Sequence, residues 1–145
     1  MFEHILIPTD GSKLSEKAVR RGMRFARAMK ARVTVFHAIP KFHTSDVMMD
    51  LLGTSRGDYA KAAQAYSDDQ LRFAEKVARA LGVPCDKRHT TTDDPAAAII
   101  QAARMNDCDL ILMASHGRRG LGALVLGSET QKVLTHSTIP VLVYR

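Results

Sequence analysis

Tryptophan is absent from this chain of 145 residues, and cysteine nearly so. The two cysteines, Cys85 and Cys108, stand far apart, so neither a disulfide framework nor a zinc site is readable, and a reducing cytoplasm is the expected setting. No apolar run approaches the length of a membrane-spanning helix. The opening Met1-Phe2-Glu3-His4-Ile5-Leu6-Ile7 has no basic segment and meets Pro8 at once, which does not read as a signal peptide. Six histidines are scattered, and none makes an H-E-x-x-H spacing. The common phosphate motifs fail as well. Gly117 and Gly122 are five apart, but Ala123 follows where a P-loop needs lysine; Gly120-Leu121-Gly122 is followed three residues on by Val125, not glycine. These gaps argue against a P-loop NTPase, a dinucleotide dehydrogenase and a zinc hydrolase. No internal repeat, linker or low-complexity tract is visible, so residues 1–145 are expected to form one domain.

What is present is a sufficient core and a basic balance: 46% hydrophobic residues, 25% charged, net charge +6. Most of the excess lies on one helix face, Lys13, Lys17, Arg20, Arg21, Arg24 and Arg27, and reads as a solvated surface. A nucleic-acid partner is disfavoured, because no recognised module accompanies the charge and aromatics are few.

Apolar runs alternate with helical periodicities. Ile5–Ile7 is a first buried strand, stopped by the turn Pro8-Thr9-Asp10-Gly11-Ser12, with Ser12 as the cap of a helix carrying Ala18, Val19, Gly22, Met23, Phe25, Ala26 and Met29 inward. Val33–Phe36 is a second, β-branched strand ending at His37-Ala38-Ile39-Pro40. Residues 41–58 form a long connection, with a helical turn expected at Val47–Leu52 and with Met48 and Met49 either lining a partner surface or packing over the sheet edge. A long helix follows, with Tyr59, Ala62, Ala63, Tyr66, Gln70, Phe73, Ala74, Val77, Ala78 and Leu81 on one face and Gly82 ending it. Cys85–Thr90 is a weak strand toward an edge, and Asp94-Pro95 starts a helix to Met105. Val141–Tyr144 is the last strand. Such alternation implies a parallel sheet with helices on both faces.

The chain is organised around Leu110–Ser128. Leu110–Ala114 is apolar throughout, as in a strand buried on both faces. It breaks into Ser115-His116-Gly117-Arg118-Arg119-Gly120, then a second apolar stretch, Leu121–Leu126, runs to Gly127-Ser128. Ser128-Glu129-Thr130-Gln131 fits a capping box with Ser128 as N-cap. Buried strand, glycine loop and helix N-terminus in that order gather unpaired N–H groups and a helix dipole at one point, which suits a phosphate. In open α/β sheets ligands bind beyond the carboxyl ends of the strands. Asp10 is therefore either a turn aspartate or a group that meets the glycine loop and holds a ribose hydroxyl or a phosphate-bound metal. Ser115 and His116 are not read as nucleophile and base, because they are adjacent and no third group is evident.

Taken together, Ile7-Pro8-Thr9-Asp10-Gly11-Ser12, Ser115-His116-Gly117, nine residues, Gly127-Ser128, and the closing Ile139-Pro140-Val141-Leu142-Val143 resemble the universal stress protein family over nearly the whole chain. The resemblance implies a single-domain, Rossmann-like, doubly wound α/β fold with five parallel strands in order 3-2-1-4-5. ATP-binding members carry Gly, two residues, Gly, nine residues, Gly, then Ser or Thr. This sequence matches at Gly117, Gly127 and Ser128 and has Ala114 in place of the first glycine. By resemblance, Gly117, Gly127 and Ser128 cradle phosphates, with Ala114, His116 and Glu129 beside them; Arg118 matches no motif position and either lends charge to a polyphosphate or is a solvated loop arginine. Asp10 faces the ribose or a phosphate-bound magnesium ion, Pro8 and Thr9 wall the cleft, and Ala38 meets adenine through its backbone. The implied protein is a cytoplasmic, ATP-binding stress regulator, a homodimer through residues 141–144 with an unidentified protein partner. Hydrolysis would be slow at most, since no general base is placed. The rival is a dimerising interaction module that binds no nucleotide.

Overall fold

The computed structural model describes residues 1–43, 55–117 and 125–145. The expected helical turn at Val47–Leu52, Met48, Met49 and most of the loop from Arg118 onward lie outside them. The described elements are β1 (His4–Pro8), α1 (Lys13–Met29), β2 (Arg32–Ile39), α2 (Arg56–Leu81), β3 (Cys85–Thr91), α3 (Pro95–Met105), β4 (Leu110–Ala114), α4 (Ser128–His136) and β5 (Val141–Tyr144). The five strands are parallel, in the order β3-β2-β1-β4-β5 that the family resemblance implies.

Alternation along β1 and β4 divides the core in two. Ile5, Ile7, Leu110, Leu112 and Ala114 face α1 and α2, together with Val19, Met23 and Leu71. Leu6, Ile111 and Met113 face α3 and α4, with Ile99, Ala103 and Val133. Both faces of each strand are covered, which is why these strands read as unbroken apolar runs. Pro8 can donate nothing to the ladder, so it stands last in β1, and the next N–H, that of Thr9, takes Phe36 O at 2.9 Å. His4 is buried between β1 and β2, its Nε2 2.8 Å from Thr34 Oγ1. Burial, followed by the Arg32 charge, pushes its pKa below the ordinary histidine value.

Helix α2 starts three residues before Tyr59, behind a capping box of Ser55 and Asp58. Its inward face also differs from the sequence reading: Ser67 and Leu71 are fully or nearly buried, while Ala62 is exposed. Its 26 residues span roughly 39 Å, against roughly 23 Å for a seven-residue strand. The N-terminal turns therefore project past the carboxyl ends of the strands and cannot all pack on the sheet. Among the described residues no helix is long and apolar enough to cross a membrane.

Candidate phosphate-binding site

Short polar side chains fold the turn after β1 into a fixed shape. Ser12 caps α1 by accepting from Ser15 N at 3.2 Å. Ser15 Oγ in turn accepts from Asp10 N (3.1 Å) and donates to Thr9 Oγ1 (2.8 Å). Asp10 Oδ1 accepts from Ser12 N at 2.9 Å, so Asp10 does shape the turn as one of its two readings required. Gly11, at φ +78°, occupies the left-handed region that a side chain would resist.

β4 pairs with β1 through Ile5↔Leu110 and Leu6↔Ile111, and this brings the second loop alongside the first. Ser115 N donates to Tyr144 O at 2.7 Å, and Ser115 O accepts from Gly127 N at 2.8 Å. The strand end is thus tied to β5 on one side and to the start of α4 on the other. Gly117 lies against the Asp10 carboxylate: a Cβ there would collide with Asp10 Oδ2. The adjacent Ser115 and His116 do touch, Oγ to Nδ1 at 3.1 Å, although neighbours in sequence seldom face each other.

The helix start departs from the expected capping box. The N-cap is Gly127 (φ −61°, ψ 150°), Ser128 is the first helical residue, and no side chain caps the end. The cause is the Gly127 N to Ser115 O bond, which holds Gly127 outside the helix while its carbonyl receives Gln131 N at 3.0 Å. Gln131 reaches back as a donor, Nε2 to Leu126 O at 2.7 Å, not to the N-cap amide. The first-turn N–H groups of α4 have no intrahelical acceptor, and no side-chain oxygen of the N-cap competes for them.

The structure therefore brings Pro8, Thr9, Asp10, His116, Gly117, Gly127 and Ser128 to the carboxyl edge of β1 and β4, with Ala38 at the end of neighbouring β2. Ala114 packs its methyl in the α1–α2 side of the core, and its carbonyl accepts from Thr130 Oγ1 at 3.1 Å. Glu129 is committed elsewhere: its carboxylate accepts from Ala96 N (2.9 Å) at the start of α3 and pairs with Lys132 Nζ (3.0 Å). Arg118 lies outside the described residues. Among the described residues no group of three His, Cys, Asp or Glu could hold a metal ion. Two surface grooves, one of about 770 Å³ along α3 and α4 and one of about 280 Å³ beside Phe25 and Leu142, are lined by none of the loop residues.

Sequence reading missed Tyr66, Gln70 and Ser15. Tyr66 Oη donates to Asp10 O at 2.7 Å across 56 residues of chain. The signal was Tyr66 itself, one of three tyrosines, on an alanine-rich helix face that needed no hydroxyl.

The family model described as "Universal stress protein family" matches residues 1–145. The chain belongs to the universal stress protein family. A universal stress protein of Thermus aquaticus is 34% identical over 145 residues, covering all of both chains. Among solved structures, the protein MJ0577 of Methanocaldococcus jannaschii superposes with a TM-score of 0.79 at 24% identity, over 99% of this chain and 95% of that one, which shows the fold. A universal stress protein solved in complex with cAMP matches with a TM-score of 0.72 at 25% identity, over 99% of this chain and 97% of that one.

Proposed function

We propose that this universal stress protein binds an adenine nucleotide, ATP in preference to GTP, and acts in the cytoplasm as a nucleotide-dependent regulator. The observation that carries the reading is the placement of Asp10 against Gly117, beside the uncapped start of α4. A carboxylate and first-turn N–H groups that lack intrahelical acceptors suit the two ends of a nucleotide, sugar hydroxyls and phosphate oxygens. The cAMP carried by the similar structure supports the adenine and the sugar phosphate. In this reading Gly117, Gly127 and Ser128 hold phosphates, with His116, Ala114 and Arg118 lining that side. Asp10 takes a ribose hydroxyl or a phosphate-bound magnesium ion, and Pro8, Thr9 and the Ala38 backbone wall the base. The Glu129 carboxylate ties α4 to α3, while its backbone N–H in the first turn of α4 serves the phosphates in this reading.

The rival reading, an interaction module without nucleotide, rests on Ala114 in place of glycine. Its methyl packs in the core, which weakens that argument. Melting curves with millimolar ATP and GTP in magnesium test the proposal. ATP should raise the melting temperature more than GTP; no shift with either would favour the rival, and equal shifts would overturn the preference for ATP.

We further propose a homodimer through β5. The strand lies at the sheet edge, and Leu142, 40% exposed, lines the groove beside Phe25 while Val141 packs against the α3–α4 core. An apolar edge strand left uncovered invites association, and a two-fold copy covers it isologously. Leu142→Lys should therefore shift sedimentation from dimer to monomer without unfolding, whereas Val141→Lys would also cost stability. A monomeric wild type would end this reading.

A further inference from the structure

The overhanging turns of α2 carry two tyrosines that the core does not need. Tyr59 and Tyr66 are seven residues apart and so lie on one side of the helix. Each donates its hydroxyl to a backbone carbonyl of a loop at the carboxyl edge of the sheet: Tyr66 to Asp10 O at 2.7 Å, Tyr59 to Pro40 O at 3.3 Å. The Tyr66 ring also lies 5.7 Å from that of His37, the neighbour of Ala38. Helix α2 thus holds the loops after β1 and after β2 together. Gly11 makes the closure possible. A Cβ there would strike the Tyr66 hydroxyl and come within 2.6 Å of Gln70 Cδ.

We propose that Tyr66 is the positioning residue through which the site distinguishes ribose from 2′-deoxyribose. The inference rests on the nucleotide reading above, in which the Asp10 carboxylate accepts from a ribose hydroxyl. Such a bond needs its acceptor held within a few tenths of an ångström. The carboxylate is restrained locally by Ser12 N, but the peptide that carries it is restrained from outside the turn by Tyr66. Without the hydroxyl, the Asp10–Gly11 peptide loses its 2.7 Å bond and keeps the longer one from Gly11 N to Thr9 Oγ1 at 3.3 Å, and Gly11, already at positive φ and without a side chain, offers little resistance to its tilting. The loss falls on the sugar contact. The first-turn donors of α4 keep their places, because the Gly127 N to Ser115 O bond that anchors the helix start does not involve Tyr66.

The test is Tyr66→Phe in the full chain, which removes one oxygen and leaves the ring against His37. Calorimetry with ATP and 2′-deoxyATP should show wild type preferring ATP by about tenfold, the value of one well-made hydrogen bond. In Tyr66→Phe, ATP should weaken by about that factor while 2′-deoxyATP changes little, so the preference falls toward unity. Amide exchange at Gly11 and Ser12 in the unliganded variant should quicken. Tyr59→Phe should leave the sugar preference unchanged. A preference retained in Tyr66→Phe, or unchanged exchange at Gly11 and Ser12, would reduce Tyr66 to a structural contact and overturn the inference. Wild type binding both sugars equally would also overturn it while leaving the nucleotide reading intact. Wild type giving no heat with either nucleotide is the separate failure of the nucleotide reading itself.

Discussion

Gly127→Val is expected to abolish stabilisation by ATP and to cost the unliganded protein some of its own stability. The backbone at Gly127 is not the obstacle, because φ −61° and ψ 150° suit any residue. Space is. A Cβ would sit 3.0 Å from His116 Cα and 3.4 Å from Ser115 O, and the extra methyls of valine press further on the same backbone. The strand end and the helix start must then part, and the Gly127 N to Ser115 O bond between them opens. Overpacking of this kind costs about 1–3 kcal/mol. Misdirecting one or two donors to a phosphate costs about 1.5–3 kcal/mol each, enough to weaken binding at least tenfold. Ser128→Ala should do much less, since Ser128 caps nothing and the backbone donors stay. Melting curves with and without ATP separate the two costs. A valine variant that melts earlier but still gains as much from ATP as wild type would rule out the phosphate role of this loop.

The largest loss of stability is expected from Gly22→Val. Gly22 lies in α1 directly over the sheet, where a Cβ would meet Ile7 Cδ1 at 2.6 Å and Leu112 Cδ2 at 3.1 Å. Both partners are essentially unexposed, so neither can swing into solvent. An alanine would recover up to about 1 kcal/mol of helix propensity against the strain. Valine recovers little of that and adds two methyls, so about 3 kcal/mol of destabilisation is expected. Because α1 begins at the turn that carries Asp10, backing the helix away also disturbs the site. The midpoint of a denaturant titration reads the effect. A loss under about 1 kcal/mol would mean that α1 can withdraw from the sheet at almost no cost.

The strands were legible because a parallel sheet buried on both faces writes itself as short apolar runs, Ile5–Ile7 and Leu110–Ala114 above all. The meeting of Asp10 and Gly117 was legible once the strand order was supplied by resemblance, since adjacent parallel strands deliver their loops to one edge. What stayed hidden depends on partners distant in sequence. Ser128 looks like the better N-cap locally, and Gly127 takes the position only because Ser115 O, twelve residues back, claims its N–H. Gly11 reads as a turn residue, but its second reason, clearance for Tyr66 and Gln70, lies on another helix. Glu129 looks like a phosphate-side residue by its place in the motif, yet the start of α3 takes its carboxylate. Ser67 is buried although it stands outside the α2 face that the periodicity marked.

The central claim is that the loops after β1 and β4 hold an adenine nucleotide. Calorimetry of the wild-type protein with ATP and then GTP, both with magnesium, tests it most directly. The account predicts saturable heat with ATP at about one site per chain and weaker or no binding of GTP. No heat with either nucleotide at millimolar concentration would contradict it.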